Sequence, residues 1–173
     1  MAVSSKKHIK KQIPDPSEAH HNAEIARAAA ASIAGNHAET VEICSELLTS
    51  DLYKDMEASG HKDAARRGMA ETRLLLGSAM HFNDGAYEDI VRVLTYALDS
   101  PVDVRKDTLF TLAVVHLSFD HNKEAEASME RCLVEIQALL QQNHLERDEK
   151  ASLESQIKEA NDFLQALQKQ FPN

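Results

Sequence analysis

Two stretches of the sequence decide the fold: residues 74–98, LLLGSAMHFNDGAYEDIVRVLTYAL, and residues 109–133, LFTLAVVHLSFDHNKEAEASMERCL. A shift of 35 residues superimposes them, and His81 then falls on His116. In each stretch, apolar residues recur at three- and four-residue steps on both sides of a polar turn, which is the pattern of two amphipathic helices. Self-similarity at a period of about 20–50 residues indicates a repeat architecture. The sequence therefore predicts stacked pairs of antiparallel helices.

Short polar breaks punctuate the helical patterns along the rest of the chain. They fall at residues 35–36, 83–85, 100–101 and 120–122, and contain the Gly, Pro, Asn and Asp residues that end helices. Beyond them, six apolar residues at steps of three and four predict one more helix. These residues are Leu153, Ile157, Ala160, Leu164, Leu167 and Phe171.

The second helix pair resembles the tetratricopeptide repeat family, whose unit is two helices in about 34 residues. Ser78 and Ala97 fall where that family has small residues for close helix approach. Gly85 falls in its turn between the helices, and Pro101 lies near its terminal proline. The family's large aromatic site holds Leu74 here, so this chain resembles a divergent member.

The resemblance implies an all-α fold, an antiparallel helix-hairpin α-solenoid of about seven helices. We expect three parts: a basic flexible tail at residues 1–16, tetratricopeptide-like repeats at 17–143, and a C-terminal capping helix at 144–171. The capping helix would cover the apolar end of the array.

A narrower resemblance lies in the third helix pair. Residues 107–115, DTLFTLAVV, followed by the helical pattern at 124–133, are similar to the tetratricopeptide core of the mitochondrial fission adaptors of the outer membrane. That family carries a membrane-anchoring helix, whereas this sequence closes on QKQFPN at 168–173. We expect shared architecture, with an organelle-surface adaptor that lacks its own anchor as the alternative.

Composition and charge exclude several classes. The 173 residues are 43% hydrophobic, with no Trp, five Gly and four Pro, which is too few turn residues for a β-sandwich or barrel. The net charge is −9. Residues 1–13 hold four Lys and no acid, so the remainder carries −13, which would repel the phosphates of a nucleic acid. No apolar run approaches the ~20 residues that span a bilayer.

The histidines and cysteines do not form a recognisable metal-binding or catalytic motif. The nine His lack the spacing of a metal motif, and we expect His81 and His116 to pack or to form hydrogen bonds. Cys44 and Cys132 lie far apart at apolar helical positions, which favours buried thiols in a reducing compartment. We predict no cofactor, no metal and no enzymatic activity. A helical enzyme with an unrecognised site is the alternative from a different class.

The expected function is protein–protein interaction, as an adaptor, scaffold or small subunit of a larger assembly. In the family, the first helix of each pair lines a groove, which would receive an amphipathic helix or an extended segment of a partner. An intracellular, cytoplasmic location is expected, with mitochondrial association as the alternative. On the family register, the partner-binding residues would be Leu75, Ala79, Phe82, Phe110, Val114 and Leu117.

Overall fold

The computed structural model describes residues 16–142 and 145–171. The predicted tail therefore lies outside the described residues, apart from Pro16, and so do residue 143 at the predicted end of the repeats and residue 144 at the predicted start of the capping helix. The described residues form helices and contain no strand, which confirms the all-α prediction. The helices are α1 (Pro16–Ile33), α2 (His37–Thr49), α3 (Leu52–Ala58), α4 (Lys62–Phe82), α5 (Tyr87–Ala97), α6 (Val102–Ser118), α7 (Asn122–Leu140) and α8 (Arg147–Gln170).

Six of the helices form three packed pairs: α1 with α2, α4 with α5, and α6 with α7. The pairs also pack on one another, because α4 contacts α1 and α2, and α6 contacts α4 and α5. The last helix, α8, packs against α7. Its buried Leu153 and Ala160 join Leu109 of α6 and Met129 of α7 in one apolar cluster. This cluster lies between α6, α7 and α8.

The predicted breaks coincide with the turns between helices. Gly35 has a φ of 78° after α1, a conformation that glycine adopts without steric cost. Asp84 and Asp120 have φ values of 54° and 63° after α4 and α6, which Asp and Asn tolerate better than other residues. At Gly85, a Cβ atom would lie 2.8 Å from the carbonyl oxygen of Met80. Gly85 is therefore needed for close approach of the backbone rather than for its φ.

Close contact between α4 and α5 depends on a glycine. A Cβ atom at Gly77 would lie 2.6 Å from Cγ of Leu94, which is fully buried. Ser78, which the family register assigns to this close approach, is instead half-buried and faces a cavity. The prediction for Ser78 is thus wrong by one residue, whereas Ala97 is fully buried as expected.

The helix count of about seven is corrected by α3, which has seven residues. Its Tyr53 and Met56 are 5% and 1% exposed and pack with Ala65 of α4. A segment of two turns is too short for hydrophobic periodicity to identify. The chain turns directly after it at Gly60, whose φ is 89°.

A buried polar cluster holds α3 in place, and we call it the Tyr53 hub: His21, Tyr53, Gly68 and Thr72. The hydroxyl of Thr72 donates to the carbonyl of Gly68 over 2.8 Å, and Tyr53 Oη lies 2.6 Å from Thr72 Oγ1. Tyr53 Oη also lies 3.2 Å from Nδ1 of His21. Gly68 admits this arrangement, because a Cβ atom there would lie 3.0 Å from Nε2 of His21. The hub joins α1, α3 and α4.

Candidate interaction groove

A groove of about 410 Å³ runs across α1, α4 and α6. These are the first helices of the three packed pairs, so the groove crosses all three. Apolar side chains and a rim of charged side chains both contribute to it. Its lining residues are Ile25, Arg67, Glu71, Leu74, Leu75, Ser78, Asp103, Val104, Asp107 and Thr111.

Helical spacing places these residues on common faces. On α4, Arg67, Glu71, Leu75 and Ser78 follow one another at steps of four, four and three, which aligns their side chains along one side of a helix. On α6, residues 103, 107 and 111 repeat at steps of four. Two parallel rows of side chains therefore face the same space between the helices.

Two further cavities extend the groove on either side. One, of about 270 Å³, lies between α6, α7 and α8 and shares Asp107 and Thr111 with the groove. The other, also about 270 Å³, lies between α1, α3 and α4 and shares Arg67 and Glu71. Neighbouring cavities share lining residues, so the three lie side by side along the helices. We call the three cavities together the furrow.

The charged rim of the groove is internally paired. Nε of Arg67 lies 2.8 Å from Glu71 Oε1, and its guanidinium also contacts Asp103. In the neighbouring cavity, the side chain of Lys106 is almost fully buried, and its Nζ lies 2.5 Å from Oδ1 of Asp107. The hydrogen bond to Glu71 raises the pKa of Arg67 further. The ion pairs hold the rim side chains in place beside the apolar floor.

The six residues predicted to bind a partner occupy different environments. Leu75 lines the groove, and Phe110 lines the neighbouring cavity beside α8. Ala79 is 1% exposed, so its side chain belongs to the core and is not presented in the groove. Phe82 is 63% exposed at the end of α4. Val114 and Leu117 are half-buried on α6.

Several groove residues were missed by sequence reasoning. Ile25 on α1 belongs to the first pair, where the repeat pattern is weakest, and Ser78 was assigned to close packing. Arg67, Glu71 and Asp103 carry charge, and so did not fit the expectation of an apolar groove. Arg67 and Glu71 lie eight and four residues before Leu75 on α4, and Asp103 lies four residues before Asp107 on α6. This helical spacing was the available signal.

The last helix flanks the furrow without filling the groove. Gln156 and Glu159 of α8 line the cavity beside α6. No residue of α8 lines the groove across α1, α4 and α6. Phe110, by contrast, packs against the cluster that α8 forms with α6 and α7.

A band of contacting rings runs along the turns of the three pairs. It starts with His37, whose ring stacks on Phe82 with centroids 5.0 Å apart. At its other end, Tyr87 stacks on His121 at 4.1 Å and lies 2.8 Å, through its Oη, from Nδ1 of His116. His81 and Phe119 connect the two ends.

The ring band accounts for two of the predicted histidine roles. His116 is 7% exposed and is hydrogen-bonded to Tyr87, and His81 lies between two phenylalanine rings. Hydrogen bonding is thus confirmed for His116 and packing for His81. Across residues 16–142 and 145–171, no three His, Cys, Asp or Glu side chains are grouped so that they could hold a metal ion.

Both cysteines are buried, as predicted. Burial raises the pKa of Cys44 to about 12 and that of Cys132 to about 11, so both thiols stay protonated. Sγ of Cys132 lies 3.2 Å from the backbone carbonyl oxygen of Lys106. The thiols act as small apolar groups of the core rather than as nucleophiles.

We expect the protein to lose stability in mild acid. Burial lowers the pKa of His21 and of His116 below the ordinary value of 6.5, so the unfolded chain binds more protons as the pH falls through 6.5. Stability is then fully present above pH 6.5 and declines below it, by at most about 1.4 kcal/mol per pH unit for each histidine. Urea unfolding at pH 7.5, 6.5 and 5.5 measures this decline.

The matched variants for this experiment are His21→Gln and His20→Gln. His20 is exposed, so its loss should leave the slope of stability against pH unchanged. His21→Gln should flatten that slope, because the group that charges on unfolding is gone. Equal slopes in the wild type and His21→Gln would contradict the assignment.

A further cavity of about 440 Å³ lies between the turn from α6 to α7 and the end of α8. Its lining is mainly charged and polar, with Asp120, Lys123, Glu124 and Glu126 around it and Phe171 at one side. It involves a single helix pair and α8, whereas the groove joins all three pairs. The groove is therefore the stronger candidate site.

None of the helices in the described part of the chain is long and apolar enough to cross a bilayer. No protein-family model, curated protein or solved structure matches the chain.

Proposed function

We propose that the chain is a non-enzymatic protein-interaction module of tetratricopeptide-like architecture, which acts as an adaptor, scaffold or small subunit of a larger assembly. The observation that carries this proposal is the groove lined jointly by α1, α4 and α6. A groove that crosses successive helix pairs is the binding surface that such arrays offer to a partner.

Two further observations support the tetratricopeptide-like part of the proposal. Each first helix packs against both helices of the pair before it, since α4 contacts α1 and α2, and α6 contacts α4 and α5. The 35-residue shift of the sequence relates α4 and α5 to α6 and α7. Fully buried alanines at Ala97, Ala113 and Ala125 accompany the packing of these helices.

The form of the furrow favours a segment of polypeptide as its ligand. Apolar side chains such as Ile25, Leu74 and Leu75 are half-buried in its floor, so covering them removes apolar surface from water. The three cavities follow one another across six helices, α1, α3, α4, α6, α7 and α8. A ligand that contacts all of them must be elongated, as an amphipathic helix or an extended chain is.

The Thr111→Arg variant should lose the protein partner of this chain while keeping its fold. Thr111 lines both the groove and the cavity beside α8, so a bulky cation there blocks the furrow at its middle. We expect at least a tenfold drop in the amount of the specific partner retained by affinity purification. Retained proteins are identified and quantified by mass spectrometry.

The matched control is Thr95→Arg, which makes the same substitution at an exposed position of α5 outside the furrow. Far-UV circular dichroism and the thermal midpoint should agree among the wild type and both variants. A second furrow variant, Ser78→Arg, should reproduce the loss. If the same proteins are retained in the same amounts by all four chains, the furrow is not the interaction site.

A further inference from the structure

The furrow carries an acidic excess. Five carboxylates and two cations line its three cavities. The carboxylates belong to Glu18, Glu71, Asp103, Asp107 and Glu159, and the cations are Arg67 and Lys106. Because the cavities are adjacent, a segment bound along all three would meet this negative excess along its length.

Both cations are already engaged by carboxylates of the rim. Arg67 contacts Glu71 and Asp103, and Lys106 contacts Asp107. Both lining cations are therefore already paired, and neither is free to pair with an acidic group of a partner. Displacing either cation would break an ion pair, so the furrow discriminates against acidic segments.

The remaining two carboxylates lie at opposite ends of the furrow. Glu18 lines the cavity between α1, α3 and α4, and Glu159 lines the cavity beside α8. Neither forms an ion pair within residues 16–142 and 145–171. The groove with its apolar floor lies between them.

On the basis of the function proposed above, we propose that the furrow selects a positively charged amphipathic segment of a partner protein. Apolar side chains of that segment cover Ile25, Leu74 and Leu75 in the groove. Lys or Arg side chains on either side face Glu18 and Glu159. Complementary charge of this kind supplies specificity and faster association more than raw affinity.

A phage-displayed library of random dodecapeptides tests the inference on the full chain. Peptides are selected on the wild type, and those that also bind Thr111→Arg are discarded. The proposal expects the remaining peptides to combine apolar residues with an excess of Lys and Arg over Asp and Glu. Their affinities should fall as the salt concentration rises, because exposed charge pairs are screened.

The outcomes separate the two proposals. Furrow-dependent peptides that are neutral or acidic would overturn the charge inference while leaving the interaction module intact. A library that gives no peptide dependent on Thr111 would overturn both.

Charge reversal at one end of the furrow provides the second measurement. Glu159→Lys should weaken the best selected peptide by about 2- to 10-fold, since an exposed attraction is replaced by a repulsion. Glu154→Lys makes the same change at an exposed position of α8 outside the furrow, and should leave the affinity unchanged. Equal affinities for both variants would show that Glu159 does not face the peptide's cations.

Discussion

The Leu94→Ala variant should unfold with a free energy about 2–5 kcal/mol below that of the wild type. Leu94 is fully buried on α5, in a cluster with Ile90 of the same helix and with Leu112 and Val115 of α6. Truncation removes its contacts with α4 and α6 together and leaves a cavity between two helix pairs. Urea unfolding followed by far-UV circular dichroism measures the change.

A second substitution makes this prediction specific. Gly77→Ala in the wild type places a methyl group 2.6 Å from Cγ of Leu94, an overlap that costs about 1–3 kcal/mol against a gain of about 1 kcal/mol from alanine's helix propensity. In Leu94→Ala, the same methyl group enters the space that the leucine left. There we expect Gly77→Ala to be neutral or stabilising.

The adjacent position provides the control for this cycle. Ser78 faces the groove, so Ser78→Ala should change stability by less than about 0.5 kcal/mol and by the same amount in both backgrounds. If the effects of Gly77→Ala and Leu94→Ala simply add, the two residues are not in contact, and the arrangement of α4 on α5 is different from the one described.

Much of the fold could be predicted because its turns contain Gly, Asn and Asp residues that end helices. Gly35, and the Asn and Asp residues of 83–85 and 120–122, stop helices through conformations that most residues avoid. Between those stops, the 3.6-residue period identified each helix of the second and third pairs. The 35-residue repeat then indicated which helices are equivalent.

The details that failed depend on neighbours that no local pattern contains. Which of two adjacent small residues, Gly77 or Ser78, meets the next helix is decided by the rotation of α4 against α5. A step of one residue turns a helix by about 100°. The same rotation places Ala79 in the core, although the family register predicted it in the groove.

The groove was predicted only in part because its charged residues resemble an ordinary solvated helix face. Arg67, Glu71 and Asp103 are half exposed, as surface charges usually are. Their role in the rim arises from the meeting of α4 with α6, which brings together residues 36 positions apart in the chain. Sequence periodicity describes one helix at a time and cannot show such a meeting.

The Tyr53→Ala variant should release α3 from the rest of the protein and cost about 3–5 kcal/mol of stability. Tyr53 is 5% exposed, and burial raises the pKa of its hydroxyl to about 12, so the group is neutral. Because Thr72 donates to the carbonyl of Gly68, its oxygen is left to accept from Tyr53. Truncation of Tyr53 thus removes a large buried ring and strips Thr72 and His21 of their shared partner.

Hydrogen exchange distinguishes this local release from global destabilisation. Amides of α3 should lose protection from hydrogen exchange far more than those of α7. Within the described residues, α3 makes its substantial contacts with α1 and α4, and none of them with α7. Tyr53→Phe keeps the ring and should cost only about 1–3 kcal/mol, the cost of leaving buried polar groups unpaired. Lys54→Ala, at an exposed position of the same helix, should leave exchange unchanged.

If Tyr53→Ala and Tyr53→Phe behave alike, the ring adds nothing and hydrogen bonds alone hold α3. If α3 and α7 lose protection equally, then α3 is not a separately attached element, and the Tyr53 hub stabilises the helices as one cooperative unit.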